Sequence, residues 1–331
     1  MKNKIFRHIL ILLIILISSC HLQAQDKKDD HTWQPAYDSL VKYYHLKDGS
    51  KVDYYAEEIF DSKKHQTHDS LKVYIAAMAA SSKENEIEAF KYLNITEKKL
   101  LDSDKDKNLL AWTYHYKANW YYNNSFDKKA LNSFLKADSV FTAINRKSFM
   151  SVMTKSGICD VMMKSGLNEN SLIIDQVFPY VEEGLRVSDS LGHDVPTAIL
   201  LYKKGDLYIA KGDLENAEYF YKKSLDISVK INNNIRQALI FTRLAKIAIN
   251  RNLLDSAIVY QKNAVLKTKG INDLRVISEV NSELGIIYNK IKNYDGAIKH
   301  LNYAKEILKK SRSARKELFH DIEYNLSLIH I

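Results

Sequence analysis

The chain is poor in the two residues that most often interrupt regular structure. Glycine supplies 10 and proline 3 of its 331 residues, well below average shares of roughly 7% and 5%. This scarcity argues against a protein of many short strands and turns, and it favours long helices joined by short connections. With 27% charged and 46% apolar residues, the composition is that of a folded protein rather than a disordered one.

Cysteine is scarce as well, and so are the motifs of common enzyme classes. Cys20 lies beside an N-terminal apolar run, so Cys159 is the one thiol left in the body of the chain and cannot form an internal disulfide. There is no glycine-rich phosphate loop, no cysteine pair at zinc spacing, no HEXXH and no nucleophile elbow. The segment "HQTHD", residues 65–69, lacks the further ligand that a zinc site needs, and we interpret it as a polar loop. We expect no enzymatic activity, no metal and no cofactor.

The first residues, "MKNKIFRHILILLIILISSCHLQAQ", resemble an export signal. A basic start is followed by the apolar run Ile9 to Ile17, which is shorter than the about 20 residues that span a bilayer, and then by small residues. We predict a signal peptide over residues 1–24 and a linker over 25–35. A transmembrane anchor starting at Ile5 is the less favoured alternative, because the run stops at Ser18.

Two cleavage sites fit this segment. "ISSC", which ends at Cys20, resembles the lipobox of bacterial lipoproteins, in which the cysteine is lipidated and the signal ends before it. "LQA", which ends at Ala24, resembles an ordinary signal peptidase site. We favour the lipobox slightly and expect the protein in the bacterial cell envelope, either periplasmic or membrane-anchored through lipidated Cys20.

The charge balance fits an exported protein without identifying its partner. Loss of residues 1–24 lowers the formal charge from +9 to +6, because that segment carries three basic and no acidic residues. The remaining charge favours contact with anionic surfaces, and export argues against a nucleic-acid partner for this part of the protein.

An internal repeat of about forty residues organises the remainder of the chain. Small residues and aromatics return in columns, each unit reads as two amphipathic helices, and turn formers such as Gly212, Asn252 and Asn293 separate the two helices. Two helices cross closely only where side chains are small, so we expect these columns to define the packing. Their members are Ala118, Tyr121, Ala130, Phe134, Ala137, Gly205, Tyr208, Ala217, Ala245, Ala257, Ala264, Gly285, Tyr288, Ala297 and Ala304.

This pattern resembles the tetratricopeptide repeat (TPR) family. The small residue and aromatic of that family's first helix match Gly205 and Tyr208, and the alanine, aromatic and alanine of its second helix match Ala130, Phe134 and Ala137. The resemblance covers residues 36–331 and implies an all-α, right-handed superhelical solenoid of helix-turn-helix repeats. It also implies binding of a protein or peptide on the concave face.

Departures from the family pattern concern the period and the middle of the chain. The period is about 40 rather than 34, and residues 150–196 fit the pattern poorly. We expect Gly157 to be a crossing residue there and Pro179 to kink or break the following helix.

One stripe on a predicted first helix suits peptide recognition. Trp112, His115, Asn119 and Tyr122 recur at helical spacing, and aromatic residues supply much of the energy of protein interfaces. Interhelical packing is an equal alternative for each of them. In later repeats the same stripe is predicted to contain Tyr202, Asp206, Lys246 and Asn289.

The last residues, "ARKELFHDIEYNLSLI", read as the first helix of a further repeat, with Tyr324 near its crossing. Because no capping helix follows, we expect a chain truncated at its C-terminus. The leading hypothesis is an exported, non-catalytic TPR scaffold that binds a protein or peptide. The alternative is the sensory N-terminal part of a longer membrane signalling protein, such as a histidine kinase or a DNA-binding regulator.

Overall fold

A computed structural model of the protein describes residues 86–103, 107–166, 171–310 and 316–329. Twelve helices and no strand occur in these ranges, which confirms the all-α class. The chain divides into two compact units, Met1–Lys105 and Asp106–Ile331. The predicted signal peptide, the linker, Cys20 and the segment 65–69 lie outside the described residues.

The first compact unit contributes one described helix, α1 (Glu86–Ser103), which buries Leu93, Thr96 and Leu100 along one face. The second contributes eleven helices. They are α2 (Lys107–Asn123), α3 (Asp127–Ala143), α4 (Phe149–Gly166), α5 (Ser171–Ser190), α6 (Asp194–Ala210), α7 (Leu214–Lys230), α8 (Asn234–Asn250), α9 (Leu254–Thr268), α10 (Leu274–Lys290), α11 (Tyr294–Lys309) and α12 (Lys316–Ile329). Within the described ranges, no helix has the length and apolar character needed to cross a membrane.

The eleven helices of the second unit pack as consecutive pairs. The most extensive contacts join α2 to α3, α4 to α5, α6 to α7, α8 to α9 and α10 to α11, and each second helix then packs on the next first helix. First helices also contact one another. The helices α8 and α10 do so, whereas α6 and α8 approach each other less closely than α8 and α10. Asp194, Asn234 and Leu274, which begin three successive first helices, keep the interval of forty residues.

The small-residue columns lie at the crossings within and between these pairs. All the alanines in the columns have less than 2% of their surface exposed, and Phe134 is buried with them. Tyr121, Tyr208 and Tyr288 are half-buried instead. Tyr208 stacks on Phe220 with ring centroids 5.3 Å apart, so this aromatic column covers the edge of the crossing rather than filling its centre.

Glycine is required at the tightest crossings. A Cβ on Gly205 would lie 2.6 Å from the ring of Tyr221, and one on Gly157 would lie 2.4 Å from the ring of Phe134. Gly157 is therefore a crossing residue, as the sequence predicts.

The turns after the first helices follow the predicted turn formers. Gly212, Asn252 and Lys292 occupy the same column and have φ of 77°, 59° and 60°, the left-handed conformation that ends a helix. Lys292, which forms the predicted turn together with Asn293, is the unusual member of this column, because residues other than glycine and asparagine seldom adopt this conformation.

Two expectations about individual residues are changed by the structure. Of the kink or break expected at Pro179, the break is excluded, because α5 continues from Ser171 to Ser190 around it. In α12 the residue at the packed position is Ile322, which is fully buried, whereas Tyr324 is 63% exposed. Ile322 packs against Leu301 and Leu308 of α11, at the position that the buried Ser282 occupies forty residues earlier.

Candidate functional site

A cleft of about 560 Å³ crosses four successive first helices, α4, α6, α8 and α10. We call it the first-helix cleft. Its apolar lining consists of Met163, Ile209, Ala210, Ile249 and Ile286, and each of the four helices supplies at least one of them. Its charged lining includes Asp206, Arg243, Lys246 and Glu283. An apolar floor between charged groups is a surface suited to an amphipathic ligand.

Charged side chains link neighbouring first helices along this cleft. Arg243 of α8 donates from Nε to Asp206 of α6 at 2.9 Å, and Lys246 of α8 pairs with Glu283 of α10 at 2.5 Å. Each pair joins two helices that belong to different repeats. The charges therefore fix the spacing of the first helices, and with it the width of the cleft.

Two tyrosines contact the ion pair between Asp206 and Arg243. Tyr221 of α7 donates its hydroxyl hydrogen to Asp206 Oδ1 at 2.6 Å, and the ring of Tyr202 lies beneath Arg243, with Cζ 5.6 Å from the ring centroid. Burial raises the pKa of both phenols, so both stay protonated. The hydrogen bond from Tyr221 holds the Asp206 carboxylate in place.

The four later residues predicted for the groove divide into two groups. Asp206 and Lys246 line the first-helix cleft. Tyr202 is buried, with 7% of its surface exposed, and Asn289 is half-buried next to the cleft residue Lys290. Asp206 and Lys246 are thus the two predicted residues that share one site.

The predicted stripe on α2 does not form an open groove at His115. The ring is 6% exposed, and its Nδ1 lies 2.9 Å from Thr154 Oγ1 of α4. The Thr154 hydroxyl gives its one hydrogen to Met150 O at 2.9 Å, so Nδ1 of His115 is the donor. Burial lowers the pKa of His115 to about 4. It is therefore a neutral interior residue, and its expected role in binding is corrected to packing.

The other three residues of that stripe have local roles and are half-buried. Trp112 packs against the cluster that contains Phe141, and its Nε1 is buried without a hydrogen-bond partner among the described residues. Asn119 donates to the carbonyl of His115 at 3.2 Å. Lys164 Nζ lies over the ring of Tyr122, 5.4 Å from its centroid.

The sequence analysis missed several residues of the cleft, although the repeat register contains a signal for them. Residues 203, 243 and 283 form a column occupied by Lys, Arg and Glu. Residues 206, 246 and 286 form another, occupied by Asp, Lys and Ile. Charges that change sign from repeat to repeat at one helix position indicate partners on adjacent helices, and these columns lie on the cleft.

The described residues also bear on chemistry. They contain no cluster of three or more histidine, cysteine or acidic side chains that could hold a metal ion. Cys159 is fully buried, and burial raises the pKa of its thiol to about 12, so it stays a protonated core residue.

Solved structures with the same architecture cover nearly the whole chain. A Rap protein complexed with competence and sporulation factor matches 98% of this chain and 93% of its own, with a TM-score of 0.60 and 14% identity. NprR in complex with its cognate peptide NprX matches 92% of this chain and 84% of its own, with a TM-score of 0.60 and 14% identity.

A third similar structure names the repeat. A signal transduction ATPase from Pyrococcus horikoshii that carries a tetratricopeptide repeat sensor matches 85% of this chain and 43% of its own, with a TM-score of 0.58 and 17% identity. The fold is that of a TPR-type solenoid. No family model and no curated protein matches the sequence, so the TPR-type assignment rests on the architecture and on the repeat columns.

Proposed function

We propose that this TPR-type protein is an exported, non-catalytic scaffold that holds a short extended segment of a protein or peptide in the first-helix cleft. The observation that carries the proposal is the composition of the cleft, in which four successive first helices each supply at least one apolar residue between charged side chains. A peptide with alternating apolar and polar side chains matches such a surface.

The charged groups of the cleft contribute mainly orientation. Arg243 and Lys246 already have carboxylate partners, so a ligand that displaced those partners would gain little net free energy. The apolar floor is different, because Ile209, Ile249 and Ile286 are half-buried and can lose further surface to a ligand. We expect apolar burial to supply the affinity, at about 25 cal/mol per Å².

The proteins of similar fold support this choice of ligand. Two of them were solved with a bound peptide or factor, NprX on NprR and the competence and sporulation factor on a Rap protein. Peptide binding on a TPR-type array is therefore a function that this fold permits, and the cleft of this chain provides a surface for it.

The test is a selection from a random peptide library displayed on a carrier protein, followed by affinity measurements on variants of the 331-residue chain. Ile249→Gln removes apolar floor, and Val259→Gln is its matched control, because Val259 is 58% exposed on the second helix α9. We expect peptides to be selected, Ile249→Gln to weaken them by about tenfold, and Val259→Gln to bind as wild type does. An empty selection, or equal loss in both variants with unchanged melting temperatures, would contradict the proposal.

Export is part of the same proposal and rests on residues 1–24. Metabolic labelling with a palmitate analogue is expected to label the wild type and not Cys20→Ser, because thioether-linked lipid needs the Cys20 thiol. Unlabelled wild type that begins at Gln25 would show ordinary signal cleavage instead. Unprocessed protein in the cytoplasm would contradict export altogether.

A further inference from the structure

Charged side chains form ion pairs along the first-helix face between α4 and α10. Its cations and anions come from neighbouring turns of α4, α6, α8 and α10. They are Lys203, Arg236, Arg243, Lys246 and Arg275 on one side and Asp160, Asp206, Glu279 and Glu283 on the other.

Four of the five cations have a carboxylate partner of their own. Lys203 pairs with Asp160, Arg243 with Asp206, Lys246 with Glu283, and Arg275 with Glu279. The carboxylates are also shared, since Glu279 lies 3.9 Å from Arg243 as well. Each anion of the set is thus paired with a cation, and Arg236 is the cation of the set that has no carboxylate partner.

Arg236 forms no ion pair and no side-chain hydrogen bond with any described residue, and its Nε is buried without a partner. Its guanidinium Cζ lies 4.9 Å from the centroid of the Tyr202 ring, so the group is stacked but not neutralised. A buried guanidinium nitrogen without an acceptor carries a desolvation cost of about 1–3 kcal/mol.

The surroundings of Arg236 also favour the binding of an anion. It lies in the first turn of α8, where the helix dipole is positive, and burial together with the nearby Arg275 lowers the pKa of its guanidinium. The nearest carboxylates, Asp160 and Asp206, already serve Lys203 and Arg243. A negatively charged group from outside the chain would therefore meet an unsatisfied site.

We propose that Arg236, stacked on Tyr202, is a subsite for an aspartate or glutamate side chain of the peptide held in the first-helix cleft. This inference rests on the proposed function. A carboxylate accepts two parallel hydrogen bonds from a guanidinium, and the Tyr202 ring supports the Arg236 guanidinium from one side, 4.9 Å from Cζ. A singly charged group also suits the site, because Asp160 and Asp206 nearby disfavour a doubly charged one such as phosphate.

The geometry also predicts the spacing of the ligand's residues. Arg236 precedes Ile249, the apolar floor residue of α8, by about 20 Å at 1.5 Å per residue. A peptide that leaves the cleft along α8 covers this distance in about six extended residues at 3.3 Å each. Selected peptides should therefore carry an acidic residue about six positions from an apolar one.

A double-mutant cycle on a selected peptide tests the subsite. The four affinities are those of wild type and Arg236→Gln for the peptide and for its version with the acidic residue changed to the amide. We expect each single change to weaken binding by about tenfold and the second change to add little, because both remove the same charge-assisted hydrogen bonds. Arg251→Gln, at the C-cap of the same helix and paired with Glu218 of α7, is the control and should bind as wild type does.

The outcomes separate this inference from the proposed function. If peptides bind and lose affinity with Ile249→Gln, but show no acidic preference or no coupling to Arg236, the subsite is wrong and the cleft stands. If no peptide is selected, both are wrong. Arg236→Gln should melt at or above the wild-type temperature, because it removes an unpaired charge, and a marked fall would assign Arg236 to the core instead.

Discussion

Single atoms decide how closely two helices of a repeat can cross. Gly205 lies under the ring of Tyr221, and Gly285 lies under Leu301. Between them, the equivalent position is Ala245, which tolerates a Cβ, and the position that corresponds to Tyr221 and Leu301 is Gln261. The glycine thus follows from the bulk of the residue across the crossing rather than from the turn or the backbone conformation.

Adding one methyl group at this crossing should therefore be costly. We expect Gly205→Ala to lower the free energy of unfolding by about 1–3 kcal/mol, because the Tyr221 ring cannot move away without breaking its bond to Asp206. Ala210→Ser, which adds one atom at an exposed position of the same helix, should stay within about 0.5 kcal/mol. Chemical denaturation of both variants measures the difference, and equal stability would contradict the packing.

His115 illustrates a second effect at the scale of the residue. Its pKa is about 4 in the fold because of burial, against about 6.5 in an unfolded chain. As the pH falls below 6.5, the unfolded state takes up the proton first, so stability is lost between pH 6.5 and pH 4 and is unaffected above this window.

The size of that loss can be measured. The lowered pKa of His115 corresponds to a loss of roughly 3 kcal/mol in the free energy of unfolding at most. His115→Asn keeps a side-chain donor for Thr154 without titrating and should flatten the pH dependence in this window. His193→Asn, at an exposed position, should retain the wild-type slope. Parallel slopes for wild type and His115→Asn would show that His115 is protonated in the fold.

Helix ends differ between repeats that otherwise share a register. In the column that begins the second helices, Asp213 and Asn293 accept a hydrogen bond from the backbone N–H three residues later, whereas Leu253 has no side-chain acceptor and is 52% exposed. Each α-helix leaves its first N–H groups without a partner inside the helix. The helix α9 therefore begins without the side-chain cap that the equivalent helices α7 and α11 have.

Exchanging these residues should move stability in opposite directions. We expect Leu253→Asn to raise the free energy of unfolding by about 0.5–1 kcal/mol and Asn293→Leu to lower it by a similar amount. Thermal melts of the two variants and of wild type are sufficient. A destabilised Leu253→Asn would show that the exposed leucine contributes to packing after all.

The elements also show what the sequence can and cannot specify. Alanine columns and turn residues were predictable, since both reflect rules that hold within one helix pair. The binding face was less accessible, because a first helix packs on several sides at once. In α8 the four consecutive residues Gln237 to Ile240 are all buried, so helical periodicity alone does not distinguish the open side. The same ambiguity placed His115 in a groove although it contacts α4.

At the scale of the molecule, charge pairing between repeats identified the cleft. In an array of this kind each repeat packs only on its neighbours, so a ligand that touches four first helices must bridge separately stabilised pieces. Asp206 with Arg243, and Lys246 with Glu283, hold those pieces at a fixed spacing before the ligand arrives. A preorganised surface of this kind lowers the cost of binding.

The central claim is that the first-helix cleft, and not the outer surface of the second helices, binds the ligand. Photo-crosslinking amino acids at Asn250, which lines the cleft, and at Lys262, which is exposed on α9, test it most directly. The account predicts that a selected peptide cross-links to the protein labelled at position 250 and not at position 262. Cross-linking at position 262 alone would contradict it.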